Sequence, residues 1–168
     1  LIDAGIDSFK VEGRMRSPEY ARVVTKVYRE AIDAHLEGRL NDDLKSAMKE
    51  RLAQVYNRGF SNGFYFGKPD GAKSDQLGHV YEKVYVGEVK KYYKKISVVD
   101  ILVRTGRLKK GEEILFIGKT TPACMATIEE MQQNNVFVDE VGRGQHAGIK
   151  ILFKANPKDK VFLWKRRM

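Results

Sequence analysis

Two sets of residues in this chain have the types and spacing to do chemistry. The first is Lys10, Glu12 and Arg14, inside the run Gly5-Ile6-Asp7-Ser8-Phe9-Lys10-Val11-Glu12-Gly13-Arg14-Met15-Arg16-Ser17-Pro18. Side chains alternate along an extended segment, so Phe9 and Val11 point one way while Ser8, Lys10 and Glu12 point the other. A half-buried strand with its charges in water gives this pattern. So does the last strand of a parallel β/α barrel, with Phe9 and Val11 packed on helices and Lys10, Glu12 and Arg14 at the C-terminal mouth, where such barrels place their chemistry. There Glu12 could act as acid or base or bind an amine, and Arg14 could clamp a carboxylate or phosphate. Alternatively the three charges are a local network that fixes the turn.

The second set is basic. Lys90, Lys91, Tyr92, Tyr93, Lys94 and Lys95 interleave two aromatics with four cations, and Lys165, Arg166 and Arg167 stand beside the last residue. Cations neutralise phosphates and aromatics stack on unpaired bases, the two ingredients of sequence-tolerant single-strand binding. The alternatives are a hairpin turn made soluble by lysines, with both tyrosines folded back on the domain, and a frayed basic tail. Other candidates are weaker. Gly142-Arg143-Gly144 is followed by a β-type run instead of a helix, so it reads as a turn and not a phosphate loop. His35, His79 and His146 form no catalytic or metal set visible in the spacing, and lone Cys124 reads as a packed thiol.

Hydrophobic content of 42% with 32% charged residues is that of a globular chain, and 168 residues suffice for one domain or two small ones. No apolar run reaches the roughly 18 residues of a membrane helix, no signal peptide opens the chain, and one cysteine makes no internal disulfide. A cytoplasmic protein with no membrane partner is expected. Residues 1–70 hold 12 Lys+Arg against 11 Asp+Glu, whereas residues 71–168 hold 19 against 11, so +8 of the net +9 lies in the second part. Such a field concentrates polyanions, although many basic domains are only soluble.

The elements that must position these residues follow from the pattern. Ser17 is an N-cap with Pro18 at the first helical position, Tyr20, Val24, Val27, Ala31 and Ala34 recur at helical spacing, and Gly38 stops the helix. A second helix starts at Asn41 or Asp42 and runs through Leu44, Ala47, Met48, Leu52 and Val55, giving an antiparallel hairpin. Phe60, Phe64, Tyr65 and Phe66 lie in a linker and read better as wedges onto the hairpin than as a base-stacking platform. Pro69-Asp70-Gly71 marks a boundary. Period-two runs then predict strands over 80–90, 96–103, 112–118, 123–131, 135–139, 147–153 and 160–165, the elements of a small closed antiparallel barrel.

The blocks G-I-D-S-F-K-V-E-G-R-M-R-S-P-E-Y and Y-N-R-G-F-S-N-G-F-Y-F-G resemble the C-terminal part of the U32 (collagenase-type) peptidase family. The later runs G-R-L-K-K-G-E-E-I-L-F-I-G and V-D-E-V-G-R-G-Q-H-A-G-I-K-I-L-F resemble the β-barrel that follows the GTPase module of translation factors. The first resemblance implies a longer parent with an upstream catalytic region and a cysteine-rich signature, whose cysteines, absent here, would hold an iron-sulfur cluster; no cofactor is expected in this piece. It implies an α+β chain: residues 1–70 as the last strand and helical hairpin of a catalytic β/α barrel, and residues 71–168 as an accessory β-barrel domain. The function implied is an accessory part of a hydrolase that positions or screens a polypeptide. The alternative is an RNA-docking barrel of a tRNA or rRNA hydroxylation enzyme. Neither reaction is expected of the piece alone, and the unpaired strand at Ile2–Val11 is expected to be disordered, to fold onto the hairpin or to self-associate.

Overall fold

The structure, a computed structural model, describes residues 1–57, 60, 67 and 80–167. Helix α1 (Pro18–Leu36) starts where Pro18 presets the helical φ and Glu19 puts a carboxylate in the first turn. Ser17 adopts the extended cap conformation, but its side chain makes no cap hydrogen bond. Gly38, in the left-handed region at φ 68, ends the helix. The Arg39 N–H then reaches back to the Ala34 carbonyl at 2.8 Å. Helix α2 (Asp42–Ala53) is capped by Asn41, whose side-chain oxygen accepts from the Leu44 N–H at 2.8 Å. The two helices pack together and are tied by an Arg51–Glu30 ion pair.

Among the described residues ten strands follow: β1 (Tyr81–Tyr93), β2 (Val98–Val103), β3 (Arg107–Lys109), β4 (Glu113–Ile117), β5 (Cys124–Thr127), β6 (Met131–Gln133), β7 (Val136–Phe137), β8 (Glu140–Gly142), β9 (His146–Lys150) and β10 (Lys160–Arg166). Eight of them pair antiparallel in the order β5-β4-β10-β1-β2-β9-β6-β7, and β3 pairs with β8 as a separate ribbon. The α+β class holds, but the closed barrel is corrected to an open, curled sheet with β5 and β7 as its edges. The reason lies in two short strands. The run read as one strand over 123–131 breaks where Ile128 turns into the core, and β7 is two residues long, so neither edge can carry a closing ladder. The β3–β8 ribbon, which lies outside the strands expected from periodicity, sends Leu108 and Val141 into the core. Single backbone bonds, Lys110 N–H to Asp139 and Gly111 N–H to Ile128, tie the flank of that ribbon to the sheet.

The strand expected around Phe9–Glu12 is also corrected. Ile2–Ala4 form one 3-10 turn, and residues 6–13 have no regular structure. A strand needs a ladder partner for its backbone groups, and none is present among the described residues. The segment lies on the hairpin instead: Asp3 Oδ1 is 3.0 Å from His35 Nε2, and Leu1, Ile2 and Phe9 line a groove with Tyr28, Ala31 and Ile32. The boundary at Pro69–Gly71, the aromatics Phe64, Tyr65 and Phe66, and His79 lie outside the described residues.

Two apolar clusters organise the fold. The larger fills the inside of the curl, from Val99, Ile101 and Val103 of β2 to Ala147 and Ile149 of β9, Ile114 and Phe116 of β4, and Val161 of β10. The smaller lies on the sheet's outer face. There Leu115, Ala123 and Trp164 meet Val24 of α1 and Val55 just after α2, with Tyr20, Val23, Leu52, Met125 and Phe162 around them. Tyr81 stacks on Trp164 at 5.7 Å, and Lys83 reaches Glu19 at 2.8 Å. Among the described residues, the helices therefore cover one part of the outer face and leave the rest bare.

Candidate functional site

Lys10, Glu12 and Arg14 lie on the segment that leads into α1. The Glu12 carboxylate accepts from the Arg14 backbone N–H at 2.6 Å, which fixes the turn leading into α1. The Tyr20 hydroxyl meets the Glu12 carbonyl at 3.4 Å. All three charged residues are exposed. Arg16, a residue the spacing did not single out, packs its guanidinium over the Tyr56 ring at 4.3 Å and near Tyr20 at 5.8 Å. Phe60 is exposed and lines a groove with Arg16, Tyr20 and Tyr56.

The basic run is split by a β-bulge. Val89 pairs with Ile101 and Lys91 with Asp100, so Lys90 is the extra residue. The bulge leaves both Lys90 and Lys91 outside and turns Tyr92 inward, against Val99 and the main core. Tyr92 is half-buried against the core and Tyr93 lies on the opposite side of β1, so the two rings do not share a face. Tyr93 stays outside, with the Lys91 ammonium 4.9 Å from its ring centroid. Lys90 is engaged otherwise: its Nζ and Arg104 Nη2 both lie 2.6 Å from Glu88 Oε1. Hydrogen bonds from Lys90 and then Arg104 hold the Glu88 carboxyl down at about 2. Lys94 and Lys95 occupy the turn between β1 and β2. Lys165 and Arg166 belong to β10 and the Arg167 N–H bonds the Val80 carbonyl at 2.8 Å, so the C-terminal basic run is no frayed tail. Lys165 faces Glu82 at 3.7 Å.

Strand register gathers residues that the linear sequence keeps apart. Val98 pairs with Tyr93 on one side and with Lys150 on the other. Lys91 is followed across the sheet by Asp100, Gly148, Gln132 and Phe137. Directly paired residues share a face, so Lys91, Tyr93, Lys150 and Phe137 all belong to the outer face that the helices leave uncovered. Among the described residues, Lys91, Lys94, Lys95 and Lys150 form no ion pair. Asp100 does have a partner, since His146 Nδ1 lies 2.8 Å from its Oδ1. Lys150, Asp100, Gly148 and Phe137 were missed because alternation tells which residues share a side of one strand, not which strands lie together. The signal was present in His146 and Lys150, which alternate with the apolar Ala147 and Ile149.

Among the described residues no group of three or more His, Cys, Asp or Glu could hold a metal ion. The half-buried Cys124 thiol is pushed up by desolvation, against the thiolate form a cluster needs. One such thiol does not supply the four cysteines of an iron-sulfur centre, and no step in this chain runs through one. No helix among the described residues is long and apolar enough to cross a membrane.

Comparison with known proteins adds three relatives and a family. Residues 1–75 match the family described as Peptidase family U32. The chain is 34% identical over 169 residues to a collagenase of Porphyromonas gingivalis, covering 99% of this chain and 41% of that protein. It is 39% identical over 164 residues to an uncharacterized protease of Methanocaldococcus jannaschii, covering 95% and 40%. It is 31% identical over 161 residues to a tRNA hydroxylation protein of Bacillus subtilis, covering 94% and 37%. The chain thus spans less than half the length of these curated relatives.

Proposed function

This chain belongs to peptidase family U32, and from that premise we propose that its strand-rich part is an accessory unit that docks and positions substrate, with RNA as the substrate class. The observation that carries the reading is the set of lysines without ion-pair partners, Lys91, Lys94, Lys95 and Lys150, gathered where β1, its turn and the end of β9 meet. Other cations are neutralised, Lys90 and Arg104 by Glu88 and, on the β3–β8 ribbon, Arg107 and Lys109 by Glu140, while Lys160 and Arg166 of β10 form no ion pair among the described residues but stand apart from this cluster. A cation left without a carboxylate keeps its field for an incoming phosphate. The relative named for tRNA hydroxylation accords with this, whereas the collagenase name favours a polypeptide.

Salt dependence separates the two substrates. Each phosphate contact to a single strand contributes about −0.7 to the log-log salt slope, so four lysines acting together give roughly −3. Replacing Lys91, Lys94, Lys95 and Lys150 with alanine is expected to flatten the slope for tRNA. Each exposed substitution should shift stability by less than about 0.5 kcal/mol. An unchanged slope in the quadruple variant, or tighter binding of a denatured collagen-type polypeptide than of tRNA, would sink the RNA reading.

A further inference from the structure

We infer that the bare outer face, from β1 across β2, β9 and β6 to β7, takes an unpaired stretch of RNA, with bases laid over Gly148 between Tyr93 and Phe137 and phosphates held toward Lys91 and Lys150. The inference rests on the RNA reading above and adds which form of RNA is bound and by which groups.

The first observation is a glycine the fold does not require. Gly148 stands in the middle of β9, where a glycine weakens a strand. A Cβ there would meet the Gln132 carbonyl at 3.6 Å and Val98 Cγ1 at 3.7 Å, both ordinary contacts, and its backbone is not left-handed. Gly87 in β1 shows the contrast: a Cβ would sit 2.3 Å from the Leu102 carbonyl, so packing demands that glycine. What Gly148 provides is a low floor between the side chains of Asp100 and Gln132, its direct partners on either side. Close approach of a ligand is a recognised use of such a residue.

The second observation is the distribution of rings and charge around that floor. Tyr93, at the end of the interior strand β1, and Phe137, on the edge strand β7, remain 42% and 64% exposed. The row from Lys91 to Phe137 crosses five strands, so about 19 Å at roughly 4.8 Å per strand spacing, the scale on which a small sheet stacks two or three bases. Charge is not uniform along it. Lysines stand at the β1 side and at the end of β9, whereas Asp100 stands beside the floor. A carboxylate repels phosphate and accepts from base amino groups, so the middle of the face suits bases and its lysine margin suits backbone. A duplex hides its bases and offers nothing to these rings.

The test uses the whole chain and anisotropy of a labelled ten-nucleotide RNA, free and annealed to its complement. The free strand should bind at least tenfold more tightly than the duplex. The double variant Tyr93→Ala, Phe137→Ala should lose about tenfold or more for the free strand with an unchanged salt slope, because stacking carries no counterion release. Gly148→Leu, which fills the floor, should lose a similar factor, with Gly148→Ala as the milder variant if leucine disturbs folding. If single strand and duplex bind alike, or the aromatic variant binds as before while the slope of roughly −3 persists, this inference falls and the docking reading stands. If no RNA binds, both fall.

Discussion

The outer face of the sheet is treated in two ways, and the contrast is written in the strands themselves. Under the helices, β4 and β10 are apolar on both sides: Ile114 and Phe116 face the main core while Leu115 faces the helices, and Val161 faces the core while Phe162 and Trp164 face the helices. On the bare part, β9 is apolar on one side only, with His146 and Lys150 exposed, and β2 sets the half-exposed Asp100 between Val98 and Leu102 on its outer side. A strand with two buried faces reads as a continuous apolar run, and one with a single buried face alternates. The first arrangement supplies packing energy. The second frees a surface at little cost to stability, which is what a docking face needs.

The sharpest test of that division is Trp164→Ala. Trp164 joins Tyr81, Leu115 and Val24 at the seam between helices and sheet, so its truncation should cost about 3–5 kcal/mol. Chemical denaturation measures it, and a loss under about 1 kcal/mol would mean that the helices contribute little to the sheet's stability. A smaller effect separates the two glycines. Gly87→Ala forces a Cβ against the Leu102 carbonyl and should cost about 1–3 kcal/mol, as overpacking does. Gly148→Ala should stay within about 0.5 kcal/mol. Equal losses at both positions would show that Gly148 serves the fold after all.

The finest effect lies at Glu88, on the border of the bare region. Its carboxyl is held at about 2 by Lys90 and Arg104. A depressed folded-state value means that these contacts stabilise the protein above the ordinary glutamate range and that the contribution fades as pH falls from about 4.5 toward 2. A carboxyl-detected NMR titration should give a midpoint near 2. A midpoint near 4.5 would free Lys90 and add it to the unpaired lysines.

Much of this architecture was legible in the chain. Pro18, Gly38 and Asn41 mark the helix ends through local backbone geometry, which needs no distant partner. The basic run at Lys90–Lys95 was visible, and so was the resemblance carried by residues 5–20. What the chain alone did not decide depends on pairing. The bulge at Lys90 reverses the alternation, so Tyr92 enters the core although its neighbours stay in water. An open edge replaces closure because β5 and β7 are too short to meet, a matter of curvature and length summed over eight strands. Phe9–Glu12 has the pattern of a strand but no partner among the described residues to make it one. Lys91, Lys150, Gly148 and Phe137 come from three strands, and only the register brings them to one face. Propensity and periodicity act along the chain; a ladder's register is set by the hydrogen bonds and packing of its neighbours, and those exist only after folding.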